Sequence, residues 1–307
     1  MTDSLKTRPR RLRRSQLSVP GSSEKMMAKA AGSAADHVFL DLEDAVAPNA
    51  KVAARSKIVT ALRDLDWGNK TRCVRINDLG TEYAYEDVIT VVEGAGAHLD
   101  TIMVPKVKAA HDVMWIDILL GQIERKLGLT RRIGVEVLIE EVEGMMNIDA
   151  IAAASPRLEC LIFGMGDYSA SQGIDIGSAF GPSGYPGDIW HYPRYRLAIA
   201  ARAHGLDAVD GPFADFRNPD AYREESRRAM TLGCVGKWAI HPAQIEPALE
   251  VFSPSAEAVT RARKLAAAYA EAQARGEGAV QVDGVMVDVA SIRILQNVID
   301  KAEMIGM

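Results

Sequence analysis

Two carboxylates in this sequence follow short apolar runs that are typical of buried strands. Glu140 comes directly after Val135–Ile139, and Asp167 follows Leu161–Phe163 and a Gly-Met-Gly turn. Because these runs are consecutive candidate strands, we expect the two carboxylates to lie side by side. Mg²⁺ typically binds one or two carboxylates and leaves its other positions to water and substrate. No cluster of His and Cys offers a softer metal site, so the pattern predicts Mg²⁺, with Mn²⁺ as a substitute.

Arg75 places a different kind of group at another strand end. Its planar guanidinium suits a carboxylate, and a cation beside it could chelate the keto and carboxylate oxygens of an α-keto acid. Gly166, just before Asp167, lets the backbone approach a ligand closely, although a tight βα turn explains it equally well. These residues favour a site for a substrate that resembles glyoxylate.

Further polar residues follow the other apolar runs: Asp41, Glu43, Asp44, Asn77, Lys106, Asp210 and His241. Each one alone has an ordinary explanation, since an acidic residue after a strand often caps a helix and an Arg is often paired at the surface. Their convergence from separate parts of the chain instead favours a pocket that holds a charged ligand, a metal, or both.

Short β-branched runs alternate with longer helical segments through most of the chain. The candidate strands are Gln16–Val19, Val38–Leu42, Cys73–Ile76, Thr101–Val104, Val135–Ile139, Leu161–Phe163, Leu206–Val209 and Val235–Ile240. The candidate helices are Lys51–Leu65, Ala84–Gly94, Ala110–Leu127, Gly144–Ala154, Arg194–His204, Pro219–Leu232 and Pro242–Val251. This alternation over about 250 residues predicts an α/β fold, the closed (β/α)8 or TIM barrel, whose active site forms at the carboxyl ends of the strands. A doubly wound open sheet has the same periodicity and is the alternative.

Two segments of different character flank the predicted barrel, which spans residues 15–251. Residues 1–14 are rich in Arg and predict a solvated, flexible arm, the alternative being attraction to the phosphates of a ligand or partner. Residues 252–307 predict a small helix-hairpin-helix lid, because Asp283-Gly284 between alternating apolar residues is a strong hairpin signal. Within the barrel, the Gly- and Pro-rich stretch Ser169–Pro193 predicts a loop over the pocket or, alternatively, a disordered insertion.

The composition is typical of a globular enzyme and argues against several other classes. Of the 307 residues, 48% are hydrophobic and 25% are charged, and the three cysteines are widely separated, which predicts neither disulfides nor zinc. A net charge of −5 argues against a general nucleic-acid binder. No apolar run approaches the ~20 residues that span a bilayer, and the basic N-terminus lacks the apolar stretch of a secretory signal. We therefore expect a cytoplasmic protein with no membrane or nucleic-acid partner.

An ordered set of short motifs resembles the citrate lyase β-subunit-like, or HpcH/HpaI aldolase, superfamily. These motifs are LDLEDAVAP at 40–48, VRIN at 74–77, MVPK at 103–106, VLIE at 137–140, FGMGDY at 163–168 and VGKWAIHPAQI at 235–245. The malyl-CoA and β-methylmalyl-CoA lyase branch is more similar still, through DLDWGNK at 64–70, DGPFADF at 210–216 and GKWAIHP at 236–242. The resemblance covers roughly residues 12–307.

The resemblance implies a reversible carbon-carbon lyase that cleaves L-malyl-CoA, and often β-methylmalyl-CoA, to glyoxylate and acetyl-CoA or propionyl-CoA. Glu140 and Asp167 would bind Mg²⁺, Arg75 would hold glyoxylate, and a homotrimer or homohexamer would form. Glu43 and Asp44 are expected to orient water molecules on the metal.

Other residues are assigned by the resemblance to the acyl-CoA and to proton transfer. The expected acyl-CoA contacts are Lys29, Ala239 and Ile240, together with Ser18 and Ser23, which stand where close relatives carry an aromatic residue and an Arg. Asp288 matches the acidic residue that family members bring into a neighbouring subunit's site. It is the candidate catalytic base, although it could equally be an ordinary polar residue at the end of a hairpin.

The departures at Ser18 and Ser23 leave the acyl group open, so a citramalyl-CoA lyase is one alternative. A malate synthase-like enzyme that also hydrolyses the thioester is a second, and an aldolase that acts without CoA is a third. The non-enzymatic alternative is a CoA-binding regulator or an accessory subunit of a larger lyase.

Overall fold

The computed structural model describes residues 8–175, 177 and 187–307. Its barrel strands are β1 Ser15–Pro20, β2 His37–Asp41, β3 Thr71–Arg75, β4 Thr101–Val104, β5 Gly134–Ile139, β6 Leu158–Phe163, β7 Asp207–Asp210 and β8 Gly236–Ala239. Each strand pairs in parallel with the next, and β8 pairs with β1, so the sheet closes. The predicted (β/α)8 barrel is confirmed, and the open-sheet alternative is wrong.

Helices follow the strands and cover the barrel. Their bounds are α1 Glu24–Ala31, α2 Lys51–Asp64, α3 Ala84–Ala95, α4 Ala110–Leu127, α5 Val142–Met146, α6 Ile148–Ala152, α7 Met165–Ser171, α8 His191–Ala203, α9 Pro219–Leu232 and α10 Ile245–Phe252. The single helix predicted at Gly144–Ala154 is instead the pair α5 and α6, because Asn147 leaves helical geometry with φ −99° and ψ 10°. Among the described residues, no helix is long and apolar enough to cross a bilayer.

The predicted loop Ser169–Pro193 is shorter than expected where it can be seen. Helix α7 continues to Ser171, and α8 already begins at His191. Residues 176 and 178–186 lie outside the described residues. Trp190, directly before α8, donates from Nε1 to Ser169 Oγ at 3.0 Å, so the far end of this connection is tied to the helix that carries Asp167.

Apolar side chains fill the middle of the barrel. The buried cluster consists of Phe39, Cys73, Met103, Leu138, Cys160, Ile162, Val209 and Trp238. Successive strand residues point to opposite faces, so every second residue of a strand enters this interior. The polar groups above and below the apolar layer therefore belong to two separate ends of the barrel.

The amino end of the barrel holds an ionic cluster, which we call the amino-end cluster: Arg13, Glu136, Glu159 and Asp207. Arg13 is 2% exposed and lies 3.2 Å from Glu136, 2.8 Å from Glu159 and 2.7 Å from Asp207. Arg11 also pairs with Glu159, and Arg14 pairs with Asp36. The prediction of a solvated arm is therefore wrong for these three arginines, because the carboxylates at the strand starts need counter-charge. Residues 1–7 of that arm lie outside the described residues.

The chain divides after Leu249 into two compact units. The second contains helix α11 Ala256–Ala274, strands β9 Val280–Val282 and β10 Val285–Val287, and helix α12 Val289–Met304. The hairpin predicted at Asp283-Gly284 is confirmed, since both turn residues have positive φ, 49° and 77°, and Val282 pairs with Val285. Leu265, Tyr269 and Val287 form a small buried core in this unit.

Candidate active site at the carboxyl ends of the strands

Seven charged residues meet at the carboxyl ends of β2 to β6, and we call them the carboxyl-end cluster: Asp41, Glu43, Asp44, Arg75, Lys106, Glu140 and Asp167. The parallel register sets Asp41 of β2 directly beside Arg75 of β3. Glu140 follows the last residue of β5, and Asp167 lies in the first turn of α7. The structure thus brings together the predicted metal ligands, the predicted glyoxylate-binding Arg75, and Glu43 with Asp44.

Arg75 is held as a rigid fork by the acidic residues of the β2 end. Its Nε and Nη2 donate to the two oxygens of Asp41 at 2.7 and 2.6 Å, and Nη1 lies 2.9 Å from Glu43. The guanidinium also stands 5.5 Å from the centre of the Trp238 ring. Burial by itself raises the pKa of Asp41, but the adjacent Arg75 outweighs burial and keeps that pKa below its usual range. Arg75 is therefore permanently charged and fixed in direction, as recognition of a carboxylate requires.

Glu43 links Arg75 to Lys106. It accepts from Lys106 Nζ at 2.7 Å through Oε1, whereas Oε2 is close to Arg75 but makes no well-aligned hydrogen bond. Burial raises the pKa of Glu43 even though both cations act to lower it. Lys51 fixes the backbone of the same loop by donating to the carbonyl oxygens of Leu42 and Glu43 at 2.9 and 2.7 Å.

Among the described residues, no cation forms an ion pair with Glu140, although Arg75 acts on it from a greater distance. Glu140 is 3% exposed and accepts one backbone hydrogen bond, from the Lys106 amide at 2.9 Å. Burial raises its pKa to about 8, with further contributions from the negative charges of Glu43 and Asp167 and an opposing one from Arg75. A buried carboxylate with this shift is stabilised either by a proton or by a bound cation.

Asp167 and Asp44 line the open side of the cluster. Their side chains are 44% and 58% exposed, and both lie 3.8 Å from Lys106 Nζ. A Cβ at Gly164 would come within 2.4 Å of Glu140 Oε2, so glycine at this position leaves room for that carboxylate. The donors around this space are carboxylate oxygens, which fit a hard cation such as Mg²⁺.

The residues predicted to contact acyl-CoA lie on the neighbouring elements β1, α1 and β8. Ala239 ends β8 and is fully buried, whereas Ile240 beside it is 41% exposed. Ser18 is half-buried on β1, and Ser23 is the N-cap of α1, accepting from the Met26 amide. Lys29 is exposed in the last turn of α1, and Gly166 opens onto free space in α7. Their contact with CoA stays a prediction.

Asp288 belongs to the C-terminal unit, where it caps helix α12. It accepts from the amide and the hydroxyl of Ser291, both at 2.9 Å, and these hydrogen bonds lower the pKa of its carboxyl group. This capping role agrees with the ordinary explanation of the residue, although an N-cap carboxylate keeps a free oxygen. Its role as a base in a neighbouring subunit stays a prediction.

Asp41 and Lys106 were recognised in the sequence as strand-end residues but received no role. Their importance follows from the register that pairs Asp41 with Arg75 and from the backbone of Lys106, whose φ of 51° is rare for a residue other than glycine. Their position after apolar runs was the available signal; the contacts were not visible in the sequence.

Known proteins resemble this chain along most of its length. Residues 14–242 match the family described as HpcH/HpaI aldolase/citrate lyase. The chain is 45% identical to the L-malyl-CoA/β-methylmalyl-CoA lyase of Cereibacter sphaeroides, with 97% of each chain covered. It is 36% identical to a (3S)-malyl-CoA thioesterase of the same species, with 95% of each covered.

A solved structure of protein CitE from Mycobacterium tuberculosis, in complex with magnesium, acetoacetate and coenzyme A, is also similar. It shares 29% identity, with 94% of this chain and 97% of that chain covered and a TM-score of 0.72. Since the family match spans most of the barrel and the relatives align along nearly the whole length, this chain belongs to the HpcH/HpaI aldolase/citrate lyase family.

Proposed function

We propose that this protein is a Mg²⁺-dependent carbon-carbon lyase that reversibly cleaves L-malyl-CoA to acetyl-CoA and glyoxylate, and β-methylmalyl-CoA to propionyl-CoA and glyoxylate. Glu140 and Asp167 beside Arg75 are the feature that carries this function. The buried carboxylate of Glu140, whose pKa is raised to about 8, and the carboxylate of Asp167 adjoin a fixed guanidinium that suits a carboxylate. The L-malyl-CoA/β-methylmalyl-CoA lyase of Cereibacter sphaeroides also supports this function. It is 45% identical to this chain over nearly its whole length.

Each residue of the cluster has a part in this reaction. Arg75 binds and orients the carboxylate of glyoxylate, while Asp41 and Glu43 hold its fork in place. Glu140 and Asp167 would hold Mg²⁺, with Mn²⁺ as a substitute, and the ion would polarise the aldehyde oxygen and stabilise charge there. Glu43 and Asp44 would orient its water ligands.

Proton transfer is assigned to Asp288, supplied by a neighbouring subunit of a homotrimer or homohexamer. In condensation Asp288 takes a proton from the α-carbon of the thioester, and the resulting enolate attacks the aldehyde carbon of glyoxylate. The alkoxide that forms then takes a proton from water. In cleavage water accepts the hydroxyl proton, the carbon-carbon bond breaks to give glyoxylate and the enolate, and protonated Asp288 returns its proton to the α-carbon. Hydrogen bonds from Ser291 lower the pKa of the Asp288 carboxyl group, so it is ionised near neutral pH and can accept a proton.

The acyl-CoA would lie along β1, α1 and β8, in contact with Ser18, Ser23, Lys29, Ala239 and Ile240. The carbonyl-bearing end must reach the carboxyl-end cluster, where Gly166 leaves open space beside Asp167. Because Ser18 and Ser23 are small, a bulkier acyl group such as that of citramalyl-CoA is also compatible.

Thioester hydrolysis is the second candidate, because a 36% identical relative is a (3S)-malyl-CoA thioesterase. The two reactions differ in their products: a lyase releases glyoxylate and an intact acyl-CoA, whereas a hydrolase releases free CoA and malate. Mass spectrometry of the products separates them in a single reaction.

The test is turnover of malyl-, β-methylmalyl- and citramalyl-CoA by the purified protein, with Mg²⁺ and with EDTA. We expect glyoxylate and acetyl-CoA from malyl-CoA with Mg²⁺ and no product with EDTA. Absence of metal-dependent product from all three substrates contradicts the proposal, and binding of CoA without turnover favours a regulatory or accessory protein.

A further inference from the structure

Lys106 adopts a backbone conformation that lysine rarely takes. It lies two residues beyond β4, and its φ of 51° falls in the left-handed region. Among the described residues other than glycine, Asp283 in the hairpin turn shares this property. Such a conformation persists in a folded protein when several surrounding contacts fix it, and it is often found at functional sites.

The unusual backbone allows one residue to hold both sides of the carboxyl-end cluster. The amide of Lys106 points at Glu140 Oε1, 2.9 Å away. Its Nζ reaches the opposite side, 2.7 Å from Glu43 Oε1 and 3.8 Å from both Asp44 and Asp167. Lys106 therefore contacts one predicted metal ligand through its amide and approaches the other through its ammonium group.

The balance of charge in the cluster makes this ammonium group important. In the described ranges, the carboxylates of the cluster other than Glu140 form ion pairs with Arg75 or Lys106, and Arg75 is held by Asp41 and Glu43. Lys106 is the described residue whose cation lies within ion-pair distance of Asp167. Its ammonium thus takes part of the charge-balancing role that a divalent cation would fill.

We propose that Lys106 is a positioning residue with two opposing effects: its amide holds Glu140 in place for the metal, and its ammonium holds Glu43 and weakens metal binding by electrostatic repulsion. Since the metal site belongs to the proposed function, the role of Lys106 rests on that function. The ammonium group of Lys106 thus lowers the affinity for the metal while it keeps Glu43 correctly oriented.

Two substitutions remove the ammonium group and leave the backbone amide in place. Lys106→Met removes the charge and keeps a side chain of similar length. Lys106→Gly also removes the charge, and because glycine readily adopts a positive φ, it preserves the hydrogen bond from the backbone amide to Glu140. Lys108→Met is the matched control, because this lysine lies two residues away with a side chain that is 52% exposed and 3.9 Å from Glu141.

The measurement is the dissociation constant of Mn²⁺, followed by electron paramagnetic resonance of the free ion, together with kcat and KM for malyl-CoA at saturating metal. We expect both Lys106 variants to bind Mn²⁺ about tenfold more tightly than the wild type, since a positive charge near the ligands has been removed. We expect kcat to fall about tenfold with little change in KM, since Glu43 is no longer held. Lys108→Met should match the wild type in every value.

Each other outcome has a distinct meaning. Unchanged or weaker Mn²⁺ binding in both Lys106 variants, with an intact melting transition, overturns the inference while leaving the proposed function standing. Tighter binding in Lys106→Met but not in Lys106→Gly also overturns it, since a charge effect must appear in both. If the wild type binds neither Mn²⁺ nor Mg²⁺, the proposed function and this role of Lys106 fail together.

Discussion

Two glutamates near the opposite ends of β5 have pKa values that are shifted in opposite directions. Glu136, at the amino end, is fully buried and receives hydrogen bonds or ion pairs from Arg13, Gln16, His37 and Thr101. Burial alone would raise the pKa of Glu136, but His37 and Arg13 outweigh it and hold that pKa well below its usual range. Glu140, four positions later, is almost as buried, accepts one hydrogen bond, and has its pKa raised to about 8.

The difference lies in the partners, because burial is nearly equal. A buried charge that is fully paired belongs to the framework, and removing it leaves its partners uncompensated. A buried charge that is under-paired stores electrostatic free energy, which the binding of a cation releases. The amino-end cluster therefore stabilises the fold, whereas the carboxyl-end cluster is arranged for a ligand.

The largest expected effect comes from neutralising Glu140. We expect Glu140→Gln to lower kcat/KM for malyl-CoA by about 10³-fold, because the loss of a metal ligand removes several kcal/mol of stabilisation from the transition state. The melting temperature in EDTA should stay the same or rise above about pH 8, since the variant lacks the buried charge that Glu140 carries there. Glyoxylate release and thermal unfolding measure the two effects, with Glu141→Gln as control. Activity within tenfold of the wild type would remove Glu140 from the metal site.

Arg75 connects function and stability, so its removal should affect both. Arg75→Ala is expected to lower kcat/KM by about 10²-fold or more and to destabilise the fold by about 3 kcal/mol, because Asp41 is left as a buried, unpaired charge. Arg75→Lys should keep more of the stability than of the activity, since it restores the charge but not the fork. Urea unfolding measures the stability of each variant, and steady-state kinetics measure its activity. If Arg75→Lys recovered stability and activity to the same extent, the planar guanidinium of Arg75 would have no special role.

Glu136→Gln tests the other end of the barrel. We expect a loss of about 3 kcal/mol in the free energy of unfolding, because Arg13 and His37 lose their shared partner. We also expect kcat per folded molecule and the Mn²⁺ dissociation constant to stay at wild-type values. Urea unfolding measures the free energy of unfolding, steady-state kinetics at low temperature measure kcat, and electron paramagnetic resonance of the free ion measures the Mn²⁺ dissociation constant. Loss of metal binding in this variant would show that the two clusters are coupled.

The smallest expected effect is a pH dependence of opposite sign at the two ends. The folded-state pKa of Glu140, about 8, exceeds the unfolded value of about 4.3, so the folded protein binds more protons in this window. The free energy of unfolding should therefore fall as pH rises from about 4.3 to 8, because the folded state keeps a proton that the unfolded state has lost. Glu136 has a lowered pKa, so its contribution is present above about pH 4.3 and is lost as pH falls below that value.

Thermal unfolding in EDTA from about pH 5 to pH 8 isolates the contribution of Glu140, because the contribution of Glu136 is constant above about pH 4.3. The difference in stability between the wild type and Glu140→Gln should change across this range, because the variant lacks the group that titrates. Adding Mg²⁺ should remove the decline in the wild type. A constant difference at every pH would mean that the pKa of Glu140 is not raised.

The sequence allowed the barrel to be predicted, together with the polar residues that lie near the carboxyl ends of its strands. Eight apolar runs with following helices define a (β/α)8 barrel, and the barrel rule then draws attention to the strand ends, where Arg75, Glu140 and Asp167 are the predicted site residues. The arm was mispredicted, because a run of arginines is typical of a solvated tail and nothing local shows that Arg13 faces Glu136, Glu159 and Asp207. These carboxylates come from strands more than a hundred residues away.

By itself, then, the sequence determined the fold and the position of Glu140 and Asp167 along it, since hydrophobic period and strand-end placement are local properties of the chain. Tertiary structure decided that Glu136 has more ion-pair partners than Glu140 among the residues that the structure describes. It also decided that Asp41 fixes the guanidinium of Arg75 and that Lys106 contacts both sides of the cluster through a backbone with positive φ. The reason is physical: the electrostatic free energy of a side chain depends on which charges lie within a few ångströms of it, and only the folded chain sets those distances.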